Sequence, residues 1–266
     1  MSRTAAHSDL FAEHYVDLRA EGAAARVAAG LRERGLVTLD GLNGRAAVLE
    51  LAARYLDVTP HRDSDPDGLT VLHNTHQHAG RSGFAGLGSG SLSPHTERSG
   101  LLFPPRLMLV ACARPAEEGG ASLLTDGHMV YADLALSHPD AVEALSEDSA
   151  GLFGGQDGVL APVFRLTPDQ QITVRLRLDD LVRWHPLVTR HIRALTEALA
   201  RHQQPLLLDA GEGFLLDNTR WLHARTAFTG PRRLYRALGN PHHSLLPEGS
   251  ATSSFGQEAV SVLETA

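Results

Sequence analysis

Lysine is missing from this 266-residue chain, and all 24 basic residues are arginine. Phosphate loops of the Walker type need a lysine after their glycines, and Schiff-base catalysis needs a lysine amine, so both chemistries are excluded. A single cysteine, Cys112, rules out an intrachain disulfide or a thiolate cluster. Its place in the apolar run Leu107–Cys112 reads as a buried structural thiol, not a nucleophile. No stretch approaches the roughly 18 apolar residues of a membrane span, and the first ten residues lack the apolar core of a leader peptide. The expectation is a soluble, cytoplasmic protein. Surplus positive charge is lacking as well: a net charge of −7 gives no electrostatic reason to expect nucleic acid or a membrane as partner.

What is present points to one domain over residues 1–266, with a helical part over about 1–60 and a strand-rich core over about 65–245. Val48, Leu51, Ala52, Tyr55 and Leu56 form a helical stripe, with Asn43 placed to cap it and Pro60 beyond its end. Glu21 to Arg34 is alanine-rich and predicts a second helix, stopped by Gly35; Leu36–Leu39 then predicts a strand. Residues 79–94 hold five glycines and read as a loop, either a plain connection or a lid. Arg106 to Ala113 is apolar on both faces, as a strand between two layers must be. Gln171 to Leu178 alternates apolar and polar residues, and Leu206–Leu208, Gly213–Leu216 and Arg232–Leu238 predict further strands. One late helix is expected, with Pro186 near its start and Val188, Ile192, Leu195 and Leu199 on one face. Many short strands without βαβ alternation favour a sandwich or closed roll.

The chemistry concentrates at His95-Thr96-Glu97. On a strand, side chains two residues apart share a face, so His95 and Glu97 can approach one metal ion together. The best third ligand is His223, in the segment that runs from Asp217-Asn218 through Trp221. Two imidazoles and one carboxylate leave the remaining metal positions open, the arrangement associated with non-haem Fe(II) oxygenases. Asn218 and Arg220 are candidates for orienting the ligands, with plain turn-forming roles as the alternative.

Four segments together carry a family resemblance: Ser93 to Ser99, Gly119-Gly120-Ala121-Ser122, Asp217 to His223, and Arg232 to Arg236. In order and spacing they resemble the TauD/TfdA-type, clavaminate-synthase-like Fe(II)/2-oxoglutarate dioxygenases. The resemblance covers roughly residues 90–240. It implies a mainly β fold with flanking helices, a double-stranded β-helix or jelly roll. It implies Fe(II) held by His95, Glu97 and His223, and the cosubstrate 2-oxoglutarate held by Ser122 and Arg232. It further implies O2 and a small molecule as reaction partners, an amino acid above all, and hydroxylation, since Glu97 fills the position that related halogenases leave for halide.

Electrostatics supports the same assignment. Ferrous iron, one carboxylate and the 2-oxoglutarate dianion together carry one net negative charge, which one buried arginine neutralises. Arginine also presents a planar fork that matches a carboxylate. Arg232 and Arg236 share a strand face while Arg233 points opposite, which leaves Arg236 to bind a substrate carboxylate or to support Arg232. Arg175 and Arg177 are either a solvated strand face or a site for an anionic group. Two alternatives stand beside this reading. The cluster His73, His76 and His78 suits zinc in a hydrolase, and a jelly-roll module without catalysis would keep the fold alone.

Overall fold

The computed structural model describes residues 9–77 and 83–242. Two β-sheets form its centre. The larger runs in the order Tyr15–Asp17, Leu36–Asp40, Glu212–Asp217, Leu107–Arg114, Arg233–Pro241 and Leu56–Val58, with Thr70–Leu72 also paired to Arg233–Pro241. The smaller runs Gln203–Leu206, Ser122–Asp126, Trp221–Arg225 and Leu92–His95, with every neighbour antiparallel.

The two-residue period of a strand builds the layers. Leu107–Arg114 sends Leu109 and Ala111 to one side, where they join Val37, Leu215 and Ala237 against Val27, Val48 and Leu51 of the helices Ala23–Arg34 and Gly44–Tyr55. Met108 and Val110 point the other way and meet Leu124, Leu206 and Trp221 of the smaller sheet. The strand is therefore covered on both faces, as its unbroken apolar run predicts. The outer face of the smaller sheet packs Leu222 into a third cluster with Val130, Leu134, Leu145, Leu195 and Leu199. Helices thus cover both outer faces of the paired sheets.

Several expectations meet tertiary context. Gly35 ends the helix Ala23–Arg34 in the left-handed conformation, φ 65°, as its position suggested. Asn43 precedes the next helix, but its side chain makes no capping bond. The late helix splits into Pro186–Thr189 and Ile192–His202, while Val188, Leu195 and Leu199 keep the common buried face. Of the alternating run Gln171 to Leu178, only Ile172–Val174 joins a ladder, with Phe164–Leu166 as its partner. The rest leaves that partner to bond across to Thr96, through Thr96 N–H to the Leu176 carbonyl at 2.9 Å. The strand expected at Leu206–Leu208 is instead Gln203–Leu206, because its neighbour begins only at Ser122, opposite Leu206. The helices Gly127–Ser137 and Pro139–Ser146 were not anticipated, although Asp126 caps the first through the His128 N–H at 3.0 Å and Pro139 opens the second. No helix among the described residues is long and apolar enough to cross a membrane.

Candidate metal centre

Register brings the two histidines together. Trp221–Arg225 pairs with Leu92–His95 so that His223 stands opposite His95, their ring centroids 4.1 Å apart. The strand ends at His95, and Glu97 lies in the turn that follows. Thr96, buried and bonded to Leu176 on the other side, turns Glu97 back toward the imidazoles. One donor atom from each of His95, Glu97 and His223 lies within 4.8 Å of the others, and among the described residues this is the one such group of His, Cys, Asp and Glu.

Protonation suits a cation there. His95 Nδ1 lies 2.9 Å from the Ser93 carbonyl, so that nitrogen donates and Nε2 keeps its lone pair. Burial, with His223 adding, pushes His95 down to about 4, which leaves the imidazole neutral at pH 7. Burial by itself raises the Glu97 carboxyl, but Arg236, followed by His223 and His95, outweighs it and holds the group well below the usual carboxylate range. Glu97 Oε1 is 3.4 Å from His223 Nε2 and accepts from Arg236 Nη1. Two imidazoles, that of His95 held neutral by burial, and an ionised carboxylate on one small volume fit a divalent transition metal.

Asn218 fixes this carboxylate through its backbone. Its side chain accepts from the Glu97 N–H at 2.7 Å and donates to the Glu97 carbonyl at 3.0 Å and the Pro105 carbonyl at 2.8 Å. Arg220 does not reach the centre; it forks onto Asp126. Arg175 donates to the carbonyls of Ser99, Leu101 and Leu102, and Arg177 forks onto Asp179, so neither belongs to a bare solvated face.

A cavity of about 560 Å³ opens onto the three donors and is also lined by Ser122, Arg232 and Arg236. Arg232 is 8% exposed, and among the described residues it has no hydrogen bond or ion pair; its one close partner is the Phe228 ring, 5.3 Å away. Burial lowers it to about 10, so it remains a cation at neutral pH. The paired glycines of the 119–122 segment now have a reason. A Cβ on Gly119 would meet the Ala227 carbonyl oxygen at 2.1 Å, and one on Gly120 would meet Arg232 Cδ at 3.0 Å, both at positive φ. Arg236, expected either to bind a substrate carboxylate or to support Arg232, is engaged with Glu97, and its Nε is buried without a partner among the described residues. A second cavity, about 1010 Å³, touches the first at Arg232 alone and contains none of the donor atoms. His73 and His76 are exposed on its rim, and His78 lies outside the described residues.

Sequence reasoning passed over three residues of this cavity. Arg225 is buried, and its guanidinium donates to the carbonyls of Gly86, Gly88 and Gly90, holding the glycine-rich segment against the site. Its offset of two from His223 on a strand was the available signal. Arg98 directly follows Glu97 and lines the cavity. His61 lines it too, accepting the Asp63 N–H on Nδ1 at 3.2 Å. Burial, reinforced by Arg236, pushes His61 down to about 4. A histidine depressed in the folded state binds its proton more readily when unfolded, so stability is lost as pH falls from 6.5 through 4. Urea unfolding of the metal-free protein at pH 7 and pH 4.5 is expected to show a loss about 2 kcal/mol smaller in His61→Gln than in the unaltered chain. Equal losses in the two proteins would show that His61 is not held neutral.

Comparison with known proteins agrees with this geometry. Residues 4–238 match the family described as "Taurine catabolism dioxygenase TauD, TfdA family". A uridine-5'-phosphate dioxygenase of Streptomyces sp is 30% identical over 49% of this chain and 54% of its own length. The mitochondrial trimethyllysine dioxygenase of Gallus gallus is 29% identical over 54% of this chain and 39% of its own. The matches therefore span about half or less of these relatives. Among solved structures, asparagine oxygenase in complex with Fe(II), 3-hydroxyasparagine and succinate superposes with a TM-score of 0.65 at 19% identity, covering 80% of this chain and 78% of that one. The non-heme iron oxygenase OrfP, in complex with Fe and alpha-ketoglutaric acid, gives 0.63 at 16% identity over 82% and 81%. At these identities the likeness is one of fold. The match over residues 4–238 makes this chain a member of the TauD, TfdA family.

Proposed function

We propose that this protein is an Fe(II)/2-oxoglutarate-dependent dioxygenase that hydroxylates an unactivated C–H bond of a small carboxylate-bearing molecule, such as a free or carrier-bound amino acid. One observation carries the reading: His95, Glu97 and His223 converge within 4.8 Å in a cavity that also holds Arg232, a buried cation without a counter-ion among the described residues. Family membership and the asparagine and OrfP oxygenases, whose structures hold iron with succinate or alpha-ketoglutaric acid, support it. The same likeness supports naming the paired sheets a double-stranded β-helix, formed by a single domain.

His95, Glu97 and His223 would hold the iron. With 2-oxoglutarate and O2, a metal there would supply an oxidant for C–H bonds, with succinate and CO2 as the coproducts. The chain's own residues bind and orient. Arg232 offers its fork to the distal carboxylate of 2-oxoglutarate, and the Ser122 hydroxyl, without a protein partner among the described residues, adds a donor beside it. Asn218 locks the backbone of Glu97, and Arg236 keeps the carboxylate ionised. Arg225 holds the 85–90 segment over the cavity, limiting the entry of water.

Anaerobic titration tests the assignment. One equivalent of Fe(II) followed by 2-oxoglutarate is expected to produce a metal-to-ligand absorption band, and oxygen is then expected to release succinate. Tightly held zinc with no response to 2-oxoglutarate would favour the hydrolase alternative, and silence to every metal would favour a binding module.

A further inference from the structure

The donor cavity carries a charge that the chain as a whole opposes. Six arginines and four carboxylates line it, a surplus of two positive charges in a protein of net charge −7. Ferrous iron and the 2-oxoglutarate dianion cancel, so the surplus remains after both are bound. Internal pairing assigns most of these groups. Arg62 bonds Asp63 and stacks on Phe84, Arg177 forks onto Asp179, and Arg236 holds Glu97. Arg225 is engaged with backbone carbonyls. Among the described lining residues, the charged side chains left without a hydrogen bond or ion pair are Arg98, Arg232 and the exposed Asp157. Arg232 is accounted for by the cosubstrate. Arg98 is not.

The backbone at Arg98 is also unusual. It sits at φ 56°, in the left-handed region that a long L side chain enters only at a cost. Neighbours hold it there from both sides: Asn218 grips both polar groups of the Glu97 backbone, Arg175 donates to the Ser99 carbonyl at 2.7 Å, and Leu101 N–H returns to the Arg98 carbonyl at 2.9 Å. Glycine or asparagine would occupy the position with less strain. Stability alone therefore does not explain a five-donor cation at this point. Directly after Glu97, Arg98 opens into the cavity next to the metal donors. The opposite loop closes on the same turn, since a Cβ on Gly100 would meet Gly154 Cα at 2.6 Å.

We infer that Arg98 is the receptor for an anionic group of the substrate, a carboxylate or a phosphate, separate from the Arg232 subsite. This rests on the dioxygenase reading of the cavity and deepens it. The substrate then arrives with its negative end beside Glu97, and its oxidised carbon is set by its distance from that end.

The test uses the Fe(II)- and 2-oxoglutarate-loaded protein under argon and reads perturbation of the absorption band. The probes are matched pairs: L-asparagine and L-arginine against their α-amides, and uridine 5'-phosphate against uridine. In the unaltered protein an anionic probe is expected to perturb the band at concentrations at least about 10-fold below its neutral partner. Arg98→Ala is expected to lose about 10- to 100-fold in affinity for that anion and to abolish the preference, with Arg98→Lys in between. Whether the responding pair is amino acid or nucleotide separates carboxylate from phosphate. Arg98→Asn is expected to melt no lower than the unaltered chain, because the strain is relieved. Retention of the preference in Arg98→Ala, silence of every anion, or equal binding of neutral partners overturns the inference. So does a fall in Tm for Arg98→Asn with the preference intact, which marks a packing role. Absence of the band before any probe is added instead overturns the dioxygenase reading itself.

Discussion

Arg232→Leu is expected to raise the 2-oxoglutarate concentration needed for half-saturation about 100-fold, or about 3 kcal/mol, while making the metal-free protein more stable. Both effects have one source. Arg232 is a guanidinium at 8% exposure that finds no carboxylate among the described residues. Removing such a charge from water is costly, and among the described residues the Phe228 ring alone stacks on it before a ligand arrives. A dianionic cosubstrate supplies the missing counter-ion, so the variant loses affinity. Leucine in the same space lacks the desolvation cost, so the apo protein gains about 1–2 kcal/mol. Arg232→Lys is expected to recover only part of the affinity, since an ammonium cannot offer two parallel donors. Anaerobic titration of the absorption band measures the first effect and urea unfolding the second. An unchanged 2-oxoglutarate affinity in Arg232→Leu would remove this residue from the cosubstrate site.

Arg236→Leu is expected to destabilise the metal-free protein by about 3–5 kcal/mol at neutral pH, a fall of about 10 °C in Tm. Arg236 and Glu97 form a buried ion pair, 9% and 7% exposed. Removing the cation leaves Glu97 without its guanidinium partner in a site that burial already makes hostile to charge. The pH dependence carries the proof. In the unaltered chain the carboxyl is depressed on folding, so its contribution is present above the unfolded value and lost as pH falls. Without Arg236, burial turns that shift upward, and the deficit of the variant is expected to shrink as pH falls toward the ordinary carboxylate range. A divalent metal ion supplies the lost positive charge and is expected to restore most of the Tm. A variant as stable as the parent at pH 7 would show that Glu97 does not depend on Arg236 for its charge compensation.

The two predictions differ in how far they could be read from residues alone. Arg232 stood out as a candidate, since charge balance asks for a cation beyond the distal histidine, and the structure places it buried in the donor cavity. Arg236 was legible as a face-sharing neighbour, but its partner was not. Periodicity states which side of a strand a residue occupies and says nothing about what stands opposite. The same limit explains Arg175. Its alternation with Val174 and Leu176 was visible, yet its engagement with the Ser99, Leu101 and Leu102 carbonyls depends on a turn some 75 positions away. The early end of the run from Gln171 has a similar origin, since its ladder spans only the three residues of its partner Phe164–Leu166.

Sequence alone determined the residue types of the candidate donors, two imidazoles and a carboxylate, together with the arginine cation and the layered strands around them. Those follow from side-chain chemistry and from the period of two, both properties of neighbouring residues. Tertiary structure alone decided that His223 meets His95 in register, that Asn218 locks Glu97, and that Arg98 stands strained in the cavity with no charged partner among the described residues. Each of these depends on which distant strand or turn is brought alongside, a choice made by burying the whole apolar surface at once and not by any local preference.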